Sequence, residues 1–176
     1  METIIRKAAE TDLDGIAAIY DRIHTEEESG QAQIGWQRGV YPVRATAEAA
    51  LKRNDLFVEE QDGKIVGTAI INQVQVDVYA RADWRYPAPD SRVMVLHALV
   101  IDPQEKSRGL GGAFVAFYEQ YAMEHGCPYL RMDTNARNLA ARRFYQKRGY
   151  QEIGILPCTF NGLDGVRLVL LEKKLG

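Results

Sequence analysis

Between Val93 and Ala113 the chain passes from an apolar, β-branched run, VMVLHALVI, through DPQEKSRGLGG into a helical pattern. Leu110, Ala113, Phe114, Phe117, Tyr118 and Tyr121 recur there at spacings of three and four, one apolar face of an α-helix. Strand, glycine turn and helix N-terminus in that order make an anion site. The first helical N–H groups lack intrahelical acceptors and point outward with the positive end of the helix dipole. Gly109, Gly111 and Gly112 carry no Cβ, so a phosphate can approach their backbone closely. Lys106 and Arg108 add two positive charges at the rim. The same residues also read as a tight strand-to-helix connection that holds no ligand.

Two familiar phosphate motifs are excluded. The glycines at 109, 111 and 112 have the wrong spacing for Gly-x-Gly-x-x-Gly, and no Gly-Lys-Ser/Thr follows them. Composition narrows the field further. A chain of 176 residues suits one domain, 1–176, with a real core. A formal net charge of −2 gives no global field that calls for nucleic acid or an anionic membrane. Cys127 and Cys158 form no C-x-x-C pair and have no histidine cluster near them, so no metal site is expected. The N-terminus METIIRKAAETD lacks an apolar signal core, and no apolar run approaches the length of a membrane span. A cytoplasmic protein is expected.

The elements that must position the glycine turn read as follows. Thr3 to Ala8 is a short strand. Thr11 and Asp14 have capping-box spacing ahead of a helix face at Leu13, Ile16, Ala17, Tyr20 and Ile23. Thr46 can cap a second helix through about Arg53. Leu56 to Glu60 and Ile65 to Val78 are strands joined at Asp62-Gly63. Tyr79 to Asp90 is a loop with room for one helical turn. After the central strand and its helix come a strand at Tyr129 to Thr134, a helix opened by Asn138 and stopped at Gly149, and strands at Tyr150 to Leu156 and Val166 to Lys173. The order is β-α-α-β-β-β-α-β-α-β-β, an α/β layer.

Lys106-Ser107-Arg108-Gly109-Leu110-Gly111 resembles the Gln/Arg-x-x-Gly-x-Gly/Ala motif of the GCN5-related N-acetyltransferases (GNAT), with Lys106 where Gln or Arg is usual. The stretch from Asn138 through Ala141, Phe144, Tyr145, Lys147 and Gly149 to Tyr150 resembles that family's second motif, and the element order is the family's as well. The resemblance implies a GNAT fold, a mixed, mostly antiparallel sheet of about seven strands with four helices. It implies acetyl-CoA as cosubstrate and a primary amine as acceptor, most simply of a small molecule, and leaves room for a homodimer. Leu99, Val100 and Ile101 would lie along the pantetheine arm, and a bulge would splay this strand from the one at Tyr129. Lys106, Ser107, Arg108, Gly109, Leu110, Gly111 and Gly112 would hold the pyrophosphate, with Asn138 and Ala141 nearby. Tyr145 would stand by the thioester sulfur. Asn138 also reads as a plain helix cap, and Tyr145 as a core aromatic.

Acetyl transfer sets its own demands. A lysine-like amine has a pKa of about 10.4, so about one molecule in 2,500 is neutral at pH 7, a penalty of roughly 4.6 kcal/mol. A base must take a proton, an oxyanion needs donors, and the leaving thiolate gains from an acid. Tyr145 is the acid candidate. His97, which alternation places on one strand face with Val95, Leu99 and Ile101, is the base candidate, with Asp133 behind it. Glu26, Glu27, Glu28, Trp36, Tyr41, Tyr79, Trp84 and Tyr86 lie where the family's acceptor enters, and they read equally as a solvated helix end and ordinary surface aromatics. The alternative to an enzyme is a non-catalytic acetyl-CoA-binding sensor or regulatory module.

Overall fold

The computed structural model describes residues 2–105 and 109–176. Its elements are β1 (Thr3–Lys7), α1 (Leu13–Glu28), α2 (Arg44–Arg53), β2 (Leu56–Gln61), β3 (Lys64–Asn72), β4 (Val93–Ile101), α3 (Leu110–Glu124), β5 (Tyr129–Asn135), α4 (Leu139–Gln146), β6 (Gln151–Phe160) and β7 (Leu163–Lys174). The order is the expected one. The seven strands run β1-β2-β3-β4-β5-β7-β6 across the sheet. No helix among the described residues is long and apolar enough to cross a membrane. Backbone contacts gather into two compact units.

One unit comprises Met1–Ala32, Trp36–Ile71 and His97–Tyr118. β1 and β2 pair antiparallel from Thr3↔Gln61 to Lys7↔Phe57. β2 and β3 form a hairpin through Asp62 and Gly63, at φ 50° and 81°, the turn the Asp-Gly pair predicts. α1 buries Leu13, Ile16, Ile19, Tyr20 and Ile23. Its cap differs from the expected Thr11 and Asp14. The carboxylate of Asp12 accepts the Ala9 amide at 2.7 Å and is gripped by Arg6 at 2.8 and 3.0 Å. That guanidinium holds the Asp12 carboxyl below the usual range, and an anion at a helix N-terminus suits the dipole. In α2, Thr46 is in the first turn rather than at the cap, where its hydroxyl accepts the Val43 amide at 3.0 Å. α3 buries Leu110, Phe114, Val115 and Tyr118, while Ala113, expected inside, is exposed. Phe117 reaches Phe57, ring centres 5.6 Å apart.

The other unit comprises Gln33–Gly35, Asn72–Leu96 and Glu119–Gly176. Here β4 pairs parallel with β5 through Val93↔Tyr129, Met94↔Leu130 and Val95↔Arg131. β5 pairs antiparallel with β7 along its whole length. β6 and β7 turn at Asn161-Gly162, at φ 52° and 78°, and reach further toward that turn than the sequence suggests. β3 ends at Asn72 rather than at Val78. The Asn72 side chain accepts the Val74 amide at 3.0 Å, and a 3-10 turn follows at Asp77–Arg81. Val78, Tyr79, Val93, Val95, Leu168 and Leu170 form this unit's core.

Candidate active site

The glycine turn enters α3 through Gly109, whose φ of 73° lies in the left-handed region. A Cβ there would meet nothing within 4 Å, so backbone conformation, not crowding, calls for glycine. Ala113 N–H donates to Gly109 O at 3.1 Å, the first helical bond of α3. The amides of Leu110, Gly111 and Gly112 precede it and form the helix's donor end. Buried Leu110 pins this turn to the core. The three amides, with two positions lacking Cβ, fit a pyrophosphate. The roles assigned to Lys106, Ser107 and Arg108 lie outside the described residues.

On β4 the alternation fails at one point. Ala98 has a φ of 50°, so a side-chain parity counted from Val95 and His97 does not carry to Leu99 and Ile101. The single-face argument for His97 is therefore incorrect, although His97 itself remains half-buried on β4. Leu99 and Ile101 are also half-buried, and Val100 is buried. A Cβ on Gly67 of β3 would come within 2.7 Å of the Ile101 Cδ1 and 3.4 Å of the Val100 carbonyl, so glycine lets β4 lie flush there.

α4 and β5 carry the proton-handling candidates. Asn138 caps α4, its Oδ1 accepting the Ala141 amide at 3.1 Å, so these two motif residues are bonded to each other. Arg142 grips Glu152 through two 2.8 Å bonds and fixes the helix on β6. Tyr145 is held edge-on by Phe144 and Tyr150, with ring centres 5.1 and 5.8 Å away. Its ring is buried, yet its hydroxyl makes no hydrogen bond among the described residues. Burial, and then the charge of Asp133, push its phenol above the usual value.

Asp133 is half-buried on β5 and accepts a hydrogen bond from the Tyr79 hydroxyl at 2.6 Å. Burial raises its carboxyl to about 6, partly opposed by that hydrogen bond. The sequence marked Asp133 as a base candidate and Tyr79 as an acceptor-side residue but not the bond between them, because the partners are separated by 54 positions and no local pattern links them.

The expected acceptor residues divide. Glu28 is tied to Arg38 at 3.0 Å, a brace between α1 and the following loop. Trp36 and Tyr41 meet edge to face at 6.0 Å. Tyr79 and Trp84 pack against each other at 5.3 Å within a core. Tyr86 is exposed, and Glu26 lines a cavity of about 160 Å³ with Ile23, Gln31 and Ile101.

A family model described as acetyltransferase (GNAT) family matches residues 16–150. The chain is similar to an uncharacterised N-acetyltransferase of Methanocaldococcus jannaschii, 25% identical over 172 residues, 97% of this chain and 91% of that one. Its fold is similar to that of a GNAT-family acetyltransferase from Streptococcus agalactiae, TM-score 0.82 at 24% identity, over 99% of this chain and 96% of that one. It is also similar to that of a Salmonella typhimurium protein solved with its cofactor acetyl-CoA, TM-score 0.71 at 17% identity, over 100% and 95% of the two chains. The chain belongs to the acetyltransferase (GNAT) family and is an acyltransferase.

Proposed function

We propose that the chain acts as a single N-acetyltransferase domain that moves the acetyl group of acetyl-CoA to a primary amine of a small molecule, by direct attack in a ternary complex. The observation that carries this reading is the Tyr145 hydroxyl, which makes no hydrogen bond among the described residues although its ring is buried in the second family motif. With no such partner, that hydroxyl keeps its proton to offer a bound thioester. The family match, which spans 16–150 and so draws on segments of both units, supports the single-domain reading.

Acetyl-CoA, when bound, supplies the acyl group on a thioester. The amides of Leu110 to Gly112 would hold its phosphates. Asp133 takes the proton that leaves the amine nitrogen as it is acylated, and Tyr145 gives its proton to the departing sulfur. Asp133 is preferred to His97 as the base because its carboxyl, near 6, is ionised at neutral pH yet basic enough to accept. Its charge also keeps Tyr145 protonated until the base is neutralised, which orders the two transfers.

Incubating the purified chain with acetyl-CoA and a panel of polyamines, aminoglycosides, amino acids and peptide N-termini, while following thiol release, tests the proposal. Transfer to at least one amine is expected. Calorimetric binding of coenzyme A with no thiol release across the panel would favour a non-catalytic sensor.

A further inference from the structure

We infer that Tyr79 is a positioning residue for acetyl transfer: its hydroxyl fixes the Asp133 carboxylate through Oδ2 and leaves Oδ1 as the oxygen that meets the substrate proton. This rests on the reading of Asp133 as the base. Tyr79 is 2% exposed and donates to Oδ2 at 2.6 Å, a charge-assisted geometry. Oδ1 accepts no hydrogen bond among the described residues, and Asp133 is only half-buried. One oxygen is held and the other is available.

The hold is itself supported from the strand that carries Asp133. Tyr79 lies in the 3-10 turn Asp77–Arg81, and its carbonyl accepts the Trp84 indole N–H at 2.9 Å. The Arg131 guanidinium lies over that indole at 4.3 Å, donates to Gln75 Oε1 at 2.7 Å and reaches the Tyr86 carbonyl at 3.2 Å. Arg131 and Asp133 are two apart on β5 and share a face. Arg131 thus holds the loop, and the loop's tyrosine holds Asp133. Among the described residues, Tyr145 of α4 and Cys158 of β6 also feel this carboxylate, and neither is hydrogen-bonded to it.

A donor to the ionised form favours ionisation, so its removal should raise the carboxyl pKa. Tyr79→Phe keeps the ring in its core and removes only the hydroxyl. The pH–rate profile of acetyl transfer to the best amine of the panel, together with the carbon-13 titration of the Asp133 carboxyl, reads the effect. The acidic limb and the titration midpoint should both move up by about one pH unit. The plateau turnover should fall by about tenfold, since a swinging carboxylate is misplaced part of the time. An unmoved limb in Tyr79→Phe, alongside an Asp133→Asn protein that has lost the limb, would overturn the role of Tyr79 alone. An acidic limb that survives in Asp133→Asn would instead remove Asp133 as base, returning the role to His97 and taking the inference with it.

Discussion

Glu59 on β2 is fully buried, and neither carboxylate oxygen has a hydrogen-bond partner among the described residues. Its nearest described surroundings include Gly67, where an added Cβ would lie 3.3 Å from Oε2. Desolvation alone raises its pKa from 4.5 to about 7. At about 1.4 kcal/mol per unit, that shift corresponds to about 3 kcal/mol. The sign follows from the direction. The folded protein binds the proton more tightly than the unfolded chain, so the contribution is fully present below about 4.5 and is lost as pH rises through about 7. Glu59→Gln keeps the shape and cannot ionise. Urea unfolding should find the two proteins within about 1 kcal/mol of each other at pH 4.5, and the variant about 2 to 3 kcal/mol more stable at pH 8. Asp133 also titrates upshifted, but it is common to both proteins and cancels in the difference. A stability difference that stays constant between pH 4.5 and pH 8 would refute the assignment.

Three further outcomes are expected. Gly111→Asp places a carboxylate at the donor end of α3 and should weaken coenzyme A binding at least tenfold by calorimetry, with a native circular dichroism spectrum. Tyr145→Phe should lower turnover by about a hundredfold while the Michaelis constant for acetyl-CoA moves only a few-fold; a change confined to that constant would make Tyr145 a binding contact. Gly67→Ala drives a methyl to 2.7 Å from Ile101 and 3.4 Å from the Val100 carbonyl. Ile101 Cδ1 is the free end of a side chain and can turn aside, so the cost should stay within about 1 kcal/mol and the melting temperature should drop by no more than about 4 °C.

What could be read from the chain was what local chemistry decides. Asn138 caps α4, and Gly149 stops it at a φ of 88°, because a side-chain acceptor and a missing Cβ act within one turn. The hairpin turn at Asp62-Gly63 followed from that dipeptide for the same reason. Other features depend on distant partners. Val74, Val76 and Val78 alternate like a strand, yet the Asn72 side chain bends the chain away and leaves Val74 exposed. Asp12, held by Arg6, takes the Ala9 amide ahead of α1 and makes no side-chain cap bond to the helix, and Thr11 with Asp14 merely imitates the spacing. Nothing in His97-Ala98-Leu99 announces a positive φ, since no glycine or asparagine marks it. Within the site, the motif positions were legible, whereas the Tyr79 bond to Asp133 arises only from folding.

The loop between β3 and β4 is anchored largely through its main chain. Glu172 accepts the amides of Arg85 and Tyr86 at 2.7 and 3.4 Å, while Arg131 and the Trp84 indole bond the carbonyls of Tyr86 and Tyr79. Peptide groups are common to every residue, with proline lacking only the N–H. Side chains at Asp83, Arg85 and Tyr86 are therefore free to vary over generations while the loop keeps its path. A library randomised at those three positions, with proline left out, should be rich in folded members that display different surfaces.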